Sequence, residues 1–242
     1  MPRYLPGGIL PGLGIRRLPT TGACRLAVAS LGGGCTRGHA TLTEQLSELA
    51  TADIVESQGL RGAIDPRIEP LWRPISLCGP AFTVRSAAGD NLAVHRALEL
   101  APAGSVLCVE VVGTIEEVQS RALIGDIIGY AALKRGLRGL VTNAPIRDGR
   151  RLQTLGFPVF AVGRQIRGPT KSDPGELGKP ITLGGVEIVS GEHLVCGDDD
   201  GLVVVPAATG AEVVAAAQAR VAAEVGVLQQ LDAGASTLDI YG

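Results

Sequence analysis

The chain has 242 residues, 45% of them hydrophobic and 19% charged, which suffices for one well-cored domain and leaves little room for a second. Its net charge of −2 provides no global basic surface for nucleic acid, and no apolar run approaches the ~20 residues a membrane-spanning helix needs. Five cysteines (24, 35, 78, 108 and 196) with no Cys-x-x-Cys pair argue against a disulfide framework and fit a reducing, cytoplasmic setting.

Residues 1–43 stand apart, with no Asp or Glu, five Arg and many Gly and Pro. An acid-free, Arg-rich start suits an organellar leader, but Pro2, Pro6, Pro11 and Pro19 interrupt the amphipathic helix such a leader needs. A disordered tail is therefore expected over 1–43, followed by a single domain over 44–242. Nineteen Arg against three Lys hint at a GC-rich genome, where a start codon assigned too far upstream would account for part of such a tail. Mass spectrometry of the native N-terminus tests that reading.

Leu42 to Leu49 reads as a helix with Thr43 as its cap, and Thr51 to Gln58 as a second, ended by Gly59. Asp53 and Glu56 are expected on its solvent or subunit-facing side. Residues 61–74, with three prolines and the single Trp72, read as an irregular connection with room for a short strand. A strand follows over 81–85, then Gly89-Asp90-Asn91 and a helix from Leu92 to Leu100. His95 has no second His or Cys at metal-ligand spacing, so it is expected to be an ordinary helix residue.

Val106 to Val112, bounded by Gly104 and Gly113, has the continuous apolar character of a strand covered on both faces. Glu110 interrupts it. A carboxylate there costs free energy unless it is paired or faces a pocket, and the sequence leaves both options open. Between Gly113 and Gly125, a loop or short helix is expected over the pocket entrance.

The stretch from Gly125 to Arg150 carries the chemistry. Asp126 reads as the N-cap of a helix over Ile127 to Leu133, stopped by Arg135-Gly136, and Leu140-Val141 as a buried strand running into a loop with Arg147-Asp148. The amides of Ile127 and Ile128 have no intrahelical partners and suit an anion. Arg147 offers a planar fork to a carboxylate or enolate, and Asp148 a hard oxygen ligand to a divalent cation. Together these describe a site for a small metal-chelating oxo acid. The plainer alternative is a helix cap beside a surface Arg–Asp pair.

Arg150 to Leu155 reads as a short helix or turn and Val159 to Val162 as a strand, so strand, helix and strand alternate as in an α/β layer architecture. Arg164 to Lys179 is Pro/Gly-rich and reads as loop, and Ile181 to Val189 as a hairpin around Gly184-Gly185. Asp198-Asp199-Asp200-Gly201 lacks the alternating ligands and distal Glu of a calcium loop and is better read as a tight turn. Thr209 to about Leu231 is helical, with Val213, Val214, Ala217, Val221, Val225 and Leu228 as an apolar stripe for the core or another subunit.

Several common catalytic motifs are missing. There is no Gly-x-x-x-x-Gly-Lys phosphate loop and no His-Glu-x-x-His, and Gly12-Leu13-Gly14 is only a fragment of a dinucleotide fingerprint. A Schiff-base mechanism is disfavoured, because Lys134 falls in a helix and Lys171 and Lys179 in a loop, whereas such a lysine needs a desolvated pocket.

The order Gly79-Pro80-Ala81-Phe82-Thr83-Val84, Gly89-Asp90-Asn91-Leu92, Gly104-Ser105-Val106-Leu107, Gly125-Asp126-Ile127-Ile128, Ile146-Arg147-Asp148, Phe157-Pro158-Val159-Phe160-Ala161 and Asp199 to Pro206 resembles the RraA-like family. That family includes the class II 4-hydroxy-4-methyl-2-oxoglutarate aldolases. The resemblance covers about Thr51 to the C-terminus. It implies a layered β/β/α domain of the swivelling, phosphohistidine-domain-like type, with a mixed central sheet and a C-terminal helix. It also implies a magnesium or manganese ion on Asp148, with substrate held by Gly125, Asp126, Ile127, Ile128 and Arg147.

Asp126 would assist proton transfer and Arg147 would balance enolate charge. The implied reaction is cleavage of a 4-hydroxy-2-oxo acid to pyruvate, with oxaloacetate decarboxylation beside it, in a homotrimer or homohexamer whose sites near the subunit junctions leave room for a carboxylate from the neighbouring subunit. The alternative it implies is a non-catalytic regulator that binds an RNA-degrading endonuclease, a type that lacks the metal-ligating Asp. Asn143-Ala144-Pro145 departs from the family, whose enzymes commonly carry Asp-Gly there, and substrate preference is expected to differ accordingly.

Overall fold

A computed structural model describes residues 41–242. The expected tail lies outside the described residues except for its last three, and these belong to the first helix. Thr41, not Thr43, caps that helix: its hydroxyl accepts the Glu44 amide at 3.3 Å while Glu44 accepts the Thr41 amide at 2.7 Å, a reciprocal capping box.

In chain order, α1 (Leu42–Ser47) and α2 (Thr51–Ser57) lead to the two-residue β1 (Glu69–Pro70) and the long β2 (Leu77–Ala87). Then come α3 (Leu92–Leu100), β3 (Val106–Val112), α4 (Ile115–Gln119), α5 (Asp126–Lys134), β4 (Gly139–Thr142), α6 (Gly149–Leu155) and β5 (Val159–Ala161). The remainder is β6 (Glu176–Leu177), β7 (Ile181–Leu183), β8 (Val186–Ile188), β9 (His193–Gly197), β10 (Leu202–Pro206), α7 (Gly210–Asp232) and α8 (Thr237–Tyr241).

The main sheet has the order β1-β5-β4-β3-β2-β9-β10, with β6 on β2. β5, β4, β3 and β2 are mutually parallel, and β1, β6, β9 and β10 pair antiparallel. β2 joins the two regimes. Its first residues pair with β9 (Cys78 opposite Cys196) and its later ones with β3 (Ala81 opposite Val106 through Ala87 opposite Val112), with Pro80 where the partner changes. The strand is longer than the expected 81–85 because Gly79-Pro80 reads as a turn in isolation.

Three buried clusters define the layers. On one face Val94, Leu98, Ile128, Leu152 and Phe157 pack α3, α5 and α6 against the parallel strands. On the other, Ile181, Leu183 and Ile188 of the β7–β8 hairpin cover Val106, Cys108, Val141 and Phe160. The third cluster joins α1, α2 and the start of α7 to β9 and β10 through Leu46, Ile54, Val205, Val213 and Val214. Sheet, second β layer and helices thus form the expected mixed α/β domain with a C-terminal helix.

Only the first turns of α7 bury their stripe, however. Val221, Val225 and Leu228 are exposed.

Candidate functional site

The segments of interest follow the carboxyl ends of adjacent parallel strands, where ligands gather in open α/β sheets. After β3 the chain passes through α4 and enters α5, and after β4 it makes the loop 143–148. Main-chain hydrogen bonds lace these pieces together. The Leu123 amide donates to the Pro145 carbonyl at 2.8 Å, the Arg147 amide to Ile124 at 2.9 Å, and the Ala122 amide to Arg167 at 2.8 Å. Ile146 is bonded on both sides, donating to Gly163 at 3.0 Å and accepting from the Gln165 amide at 2.9 Å.

The N-cap of α5 is Gly125, not Asp126. A β-carbon on Gly125 would lie 2.5 Å from Asp148 Oδ2 and 3.1 Å from Arg147 Nε, so the missing side chain is what lets both functional groups stand against the helix start. Arg147 Nε and Asp148 Oδ2 are 3.4 Å apart. Asp148 itself adopts the left-handed conformation (φ 57°, ψ 30°), which Asp tolerates better than most residues. It precedes α6 without capping it through its side chain, leaving the carboxylate for other partners.

Asp126 is the first helical residue. Its Oδ1 accepts the Ile127 amide at 2.9 Å and its Oδ2 accepts from Arg151 Nη1 at 2.9 Å. The Arg151 guanidinium holds its carboxyl below the usual range, outweighing the opposing effect of partial burial, so Asp126 is ionised at neutral pH. That makes it a proton acceptor.

A cavity of about 110 Å³ opens here, lined by Gly125, Asp126, Ile127, Ile128 and Arg147 together with Asn91, His95 and Lys171. The structure therefore brings together every sequence-selected residue except that Asp148 stands at the edge, behind Gly125, rather than in the lining. The sequence reading missed Asn91, His95, Lys171 and Arg151. Asn91 is 3% exposed and donates to the Leu123 carbonyl at 2.9 Å, while its Oδ1 and His95 Nε2 are buried with no hydrogen-bond partner. Burial, and then the Lys171 charge, push the His95 imidazole below its ordinary value against the pull of Asp90, so it is neutral near pH 7.

Lys171 lies in a loop, as expected, yet it is presented to the cavity. Asp90 arranges this by accepting from Thr170 Oγ1 at 2.7 Å and from the Ser172 amide and hydroxyl at 2.7 and 2.9 Å.

Three further readings meet the structure at this level. Glu110 is paired with Arg85, Nε to Oε2 at 3.0 Å, and does not line the cavity. α4 borders a different hollow, beside Arg67 and Gly184, rather than the entrance of this one. Asn143, in the stretch that departs from the family, extends the β3–β4 pairing: its Oδ1 accepts the Val111 amide at 2.7 Å and its Nδ2 donates to the Val111 carbonyl at 3.0 Å. Ala144 beside it is buried, and neither residue lines the cavity. The departure thus falls on strand pairing.

The family model described as RraA-like, aldolase/RraA, matches residues 45–204, and the chain belongs to that family. A Halalkalibacterium halodurans protein provisionally named 4-hydroxy-4-methyl-2-oxoglutarate aldolase is 39% identical over 139 residues, a stretch that spans 57% of this chain and 64% of the relative. Among solved structures, Streptomyces coelicolor RraAS2, described as an unusual member of the RNase ES inhibitor RraA family, is 26% identical with a TM-score of 0.68, covering 78% of this chain and 97% of its own. The RNA-processing inhibitor RraA from Thermus thermophilis is also 26% identical, with a TM-score of 0.58 over 65% of this chain and 92% of its own.

Proposed function

We propose that this chain is a divalent-metal-dependent lyase. It would cleave 4-hydroxy-2-oxo acids such as 4-hydroxy-4-methyl-2-oxoglutarate to pyruvate, and decarboxylate oxaloacetate through the same pyruvate enolate. The observation that carries the reading is the convergence of Arg147 and Asp148 on Gly125, at the amide-bearing start of α5 beside a small cavity.

The donor set suits a hard cation. One carboxylate free of capping duty is what magnesium or manganese takes when water and substrate oxygens complete the shell, and no group of three His, Cys, Asp or Glu able to hold a metal occurs among the described residues. When bound, such an ion supplies Lewis-acid polarisation of the keto oxygen.

The chain's own residues supply the rest. The Arg147 fork holds the carboxylate and faces the oxygen on which enolate charge develops. The α5 amides and Lys171 add positive potential, and Asn91 and the neutral His95 offer hydrogen-bonding atoms. Ionised Asp126 takes the proton of the 4-hydroxyl, directly or through a water, as the C3–C4 bond breaks. The same proton returns to C3 to give pyruvate. The cavity is small, so the reacting end of the acid is enclosed and the remainder extends outward.

Asp148→Asn and Asp148→Ala should lower magnesium-dependent pyruvate release by at least about 100-fold while leaving the circular-dichroism melt nearly unchanged, Asn tolerating the left-handed backbone best. Wild-type-like turnover in either variant would end the metal reading. Borohydride trapping of substrate on Lys171 would replace it with a Schiff-base mechanism.

The likeness to the two RraA structures supports a second reading, a non-catalytic RNase-binding regulator. Release of no pyruvate from a panel of 4-hydroxy-2-oxo acids or oxaloacetate, together with capture of an RNase, would favour it. In either case we take the chain to be a cytoplasmic homotrimer or homohexamer.

A further inference from the structure

Away from the candidate site, Cys78 of β2 and Cys196 of β9 are directly opposed across an antiparallel pair. Such a pair places Cα atoms ~4.5–5.5 Å apart with both side chains on one face of the sheet, inside the range of about 4.4–6.8 Å that a disulfide spans. Both cysteines are nearly fully buried from the outside, yet both line a cavity of about 370 Å³ shared with Leu46, Thr51 and Arg138. Arg138 Nη1 donates to the Cys78 carbonyl at 2.9 Å, which fixes a guanidinium beside the thiol. Cys108, the third cysteine among the described residues, does not line that cavity and is 0% exposed, with burial pushing its thiol up to about 12.

We propose that Cys78 and Cys196 form a redox-active dithiol, oxidised by hydrogen peroxide to a cross-strand disulfide. The two sulfurs are inequivalent. The neighbouring Cys196 sulfur and then the Arg138 charge lower the Cys78 thiol against burial, while Cys196 is raised by its Cys78 neighbour and by burial. Because Arg138 is anchored on the Cys78 carbonyl, its charge stands on the Cys78 side of the pair, which makes Cys78 the attacking thiolate and Cys196 the resolving thiol.

The Cys78 sulfur attacks one peroxide oxygen, the O–O bond breaks, and the departing hydroxide takes a proton to leave as water, giving a sulfenic acid. The Cys196 sulfur then displaces hydroxide from the Cys78 sulfur. That hydroxide takes the Cys196 thiol proton and leaves as a second water. Two thiols and one peroxide become one disulfide and two waters. In a reducing compartment, such a bond is transient and sensory rather than structural.

The test uses the full chain carrying Cys24→Ser and Cys35→Ser, exposed to hydrogen peroxide while folded, then denatured, alkylated and digested. The expected product is a peptide pair joined through Cys78 and Cys196, 2 Da lighter than the separate peptides and dissolved by dithiothreitol, with Cys108 recovered alkylated. In Cys196→Ser, dimedone should label Cys78. The proposal is overturned if both cysteines stay alkylatable, if the bridge forms only in urea-unfolded protein, if Cys108 supplies one of the sulfurs, or if Cys78 resists dimedone in folded Cys196→Ser.

Discussion

Gly125 is an extended-backbone residue any side chain could adopt, so its role is space rather than flexibility. Gly125→Ala would thrust a methyl group into Asp148 Oδ2, the mobile end of its side chain, and against Arg147. Both can swing away, so stability should fall by less than ~1 kcal/mol, whereas displacement of the proposed ligand and anion fork by about an ångström should cost ~100-fold in pyruvate release. Thermal melts and steady-state assays on one preparation separate the two effects. Unchanged turnover would mean that closeness to the helix start is incidental.

At this scale the sequence displayed the chemistry of Arg147 and Asp148 and the free amides after Gly125, because residue type and local order carry that information. Asn91, His95 and Lys171 were not visible, because the cavity is assembled from segments far apart in the chain. Asn91 reads as a turn residue, and the loop position of Lys171 says nothing of what it faces. Glu110 had a findable partner: Arg85 and Glu110 are in register on neighbouring strands, and an ion pair across adjacent strands is the usual resolution of such a charge.

Among the elements, the loop that carries Lys171 depends on Asp90. Burial opposes ionisation of that carboxyl, but hydrogen bonds from the Leu92 amide, Thr170 and Ser172 outweigh it and hold it well below the ordinary 3.8. A depressed carboxylate stabilises the fold above its unfolded-state value, and the contribution is lost as pH falls through the folded-state value. Asp90→Asn should therefore lose about 2 kcal/mol near neutrality, because a donor amide meets donors. The gap to wild type should narrow below pH 4 and nearly close in strong acid, where the native carboxyl is also protonated. Urea titrations across that range check it, and a gap that widens toward acid would contradict the clamp.

The helix expected from about Leu92 to Leu100 was legible, and it spans Leu92–Leu100. β2 was not, since its pairing partner changes midway and the Gly-Pro at that change mimics a turn.

For the molecule as a whole, the α/β layering followed from the alternation of apolar runs and capped helices, but the second β layer and the strand order depend on contacts that periodicity does not encode. The sequence could not say which part of the α7 stripe packs within the subunit. Only Val213, Val214 and Ala217 do, and the exposed Val221, Val225 and Leu228 are joined by exposed Leu238 and Tyr241 of α8. On the proposed assembly, sedimentation should give three or six times the 24.8 kDa chain mass, and a monomer at micromolar concentration would refute it.

The lacing of 122–124, 145–147 and 163–167 has a consequence for recognition. Because those turns are tied by peptide groups, their conformational entropy is lost once, during folding, rather than at every encounter with a guest. If the proposed function holds, discrimination among oxo acids rests on how well each fits a rigid frame, and side-chain replacements at its rim can retune preference without loosening the frame itself.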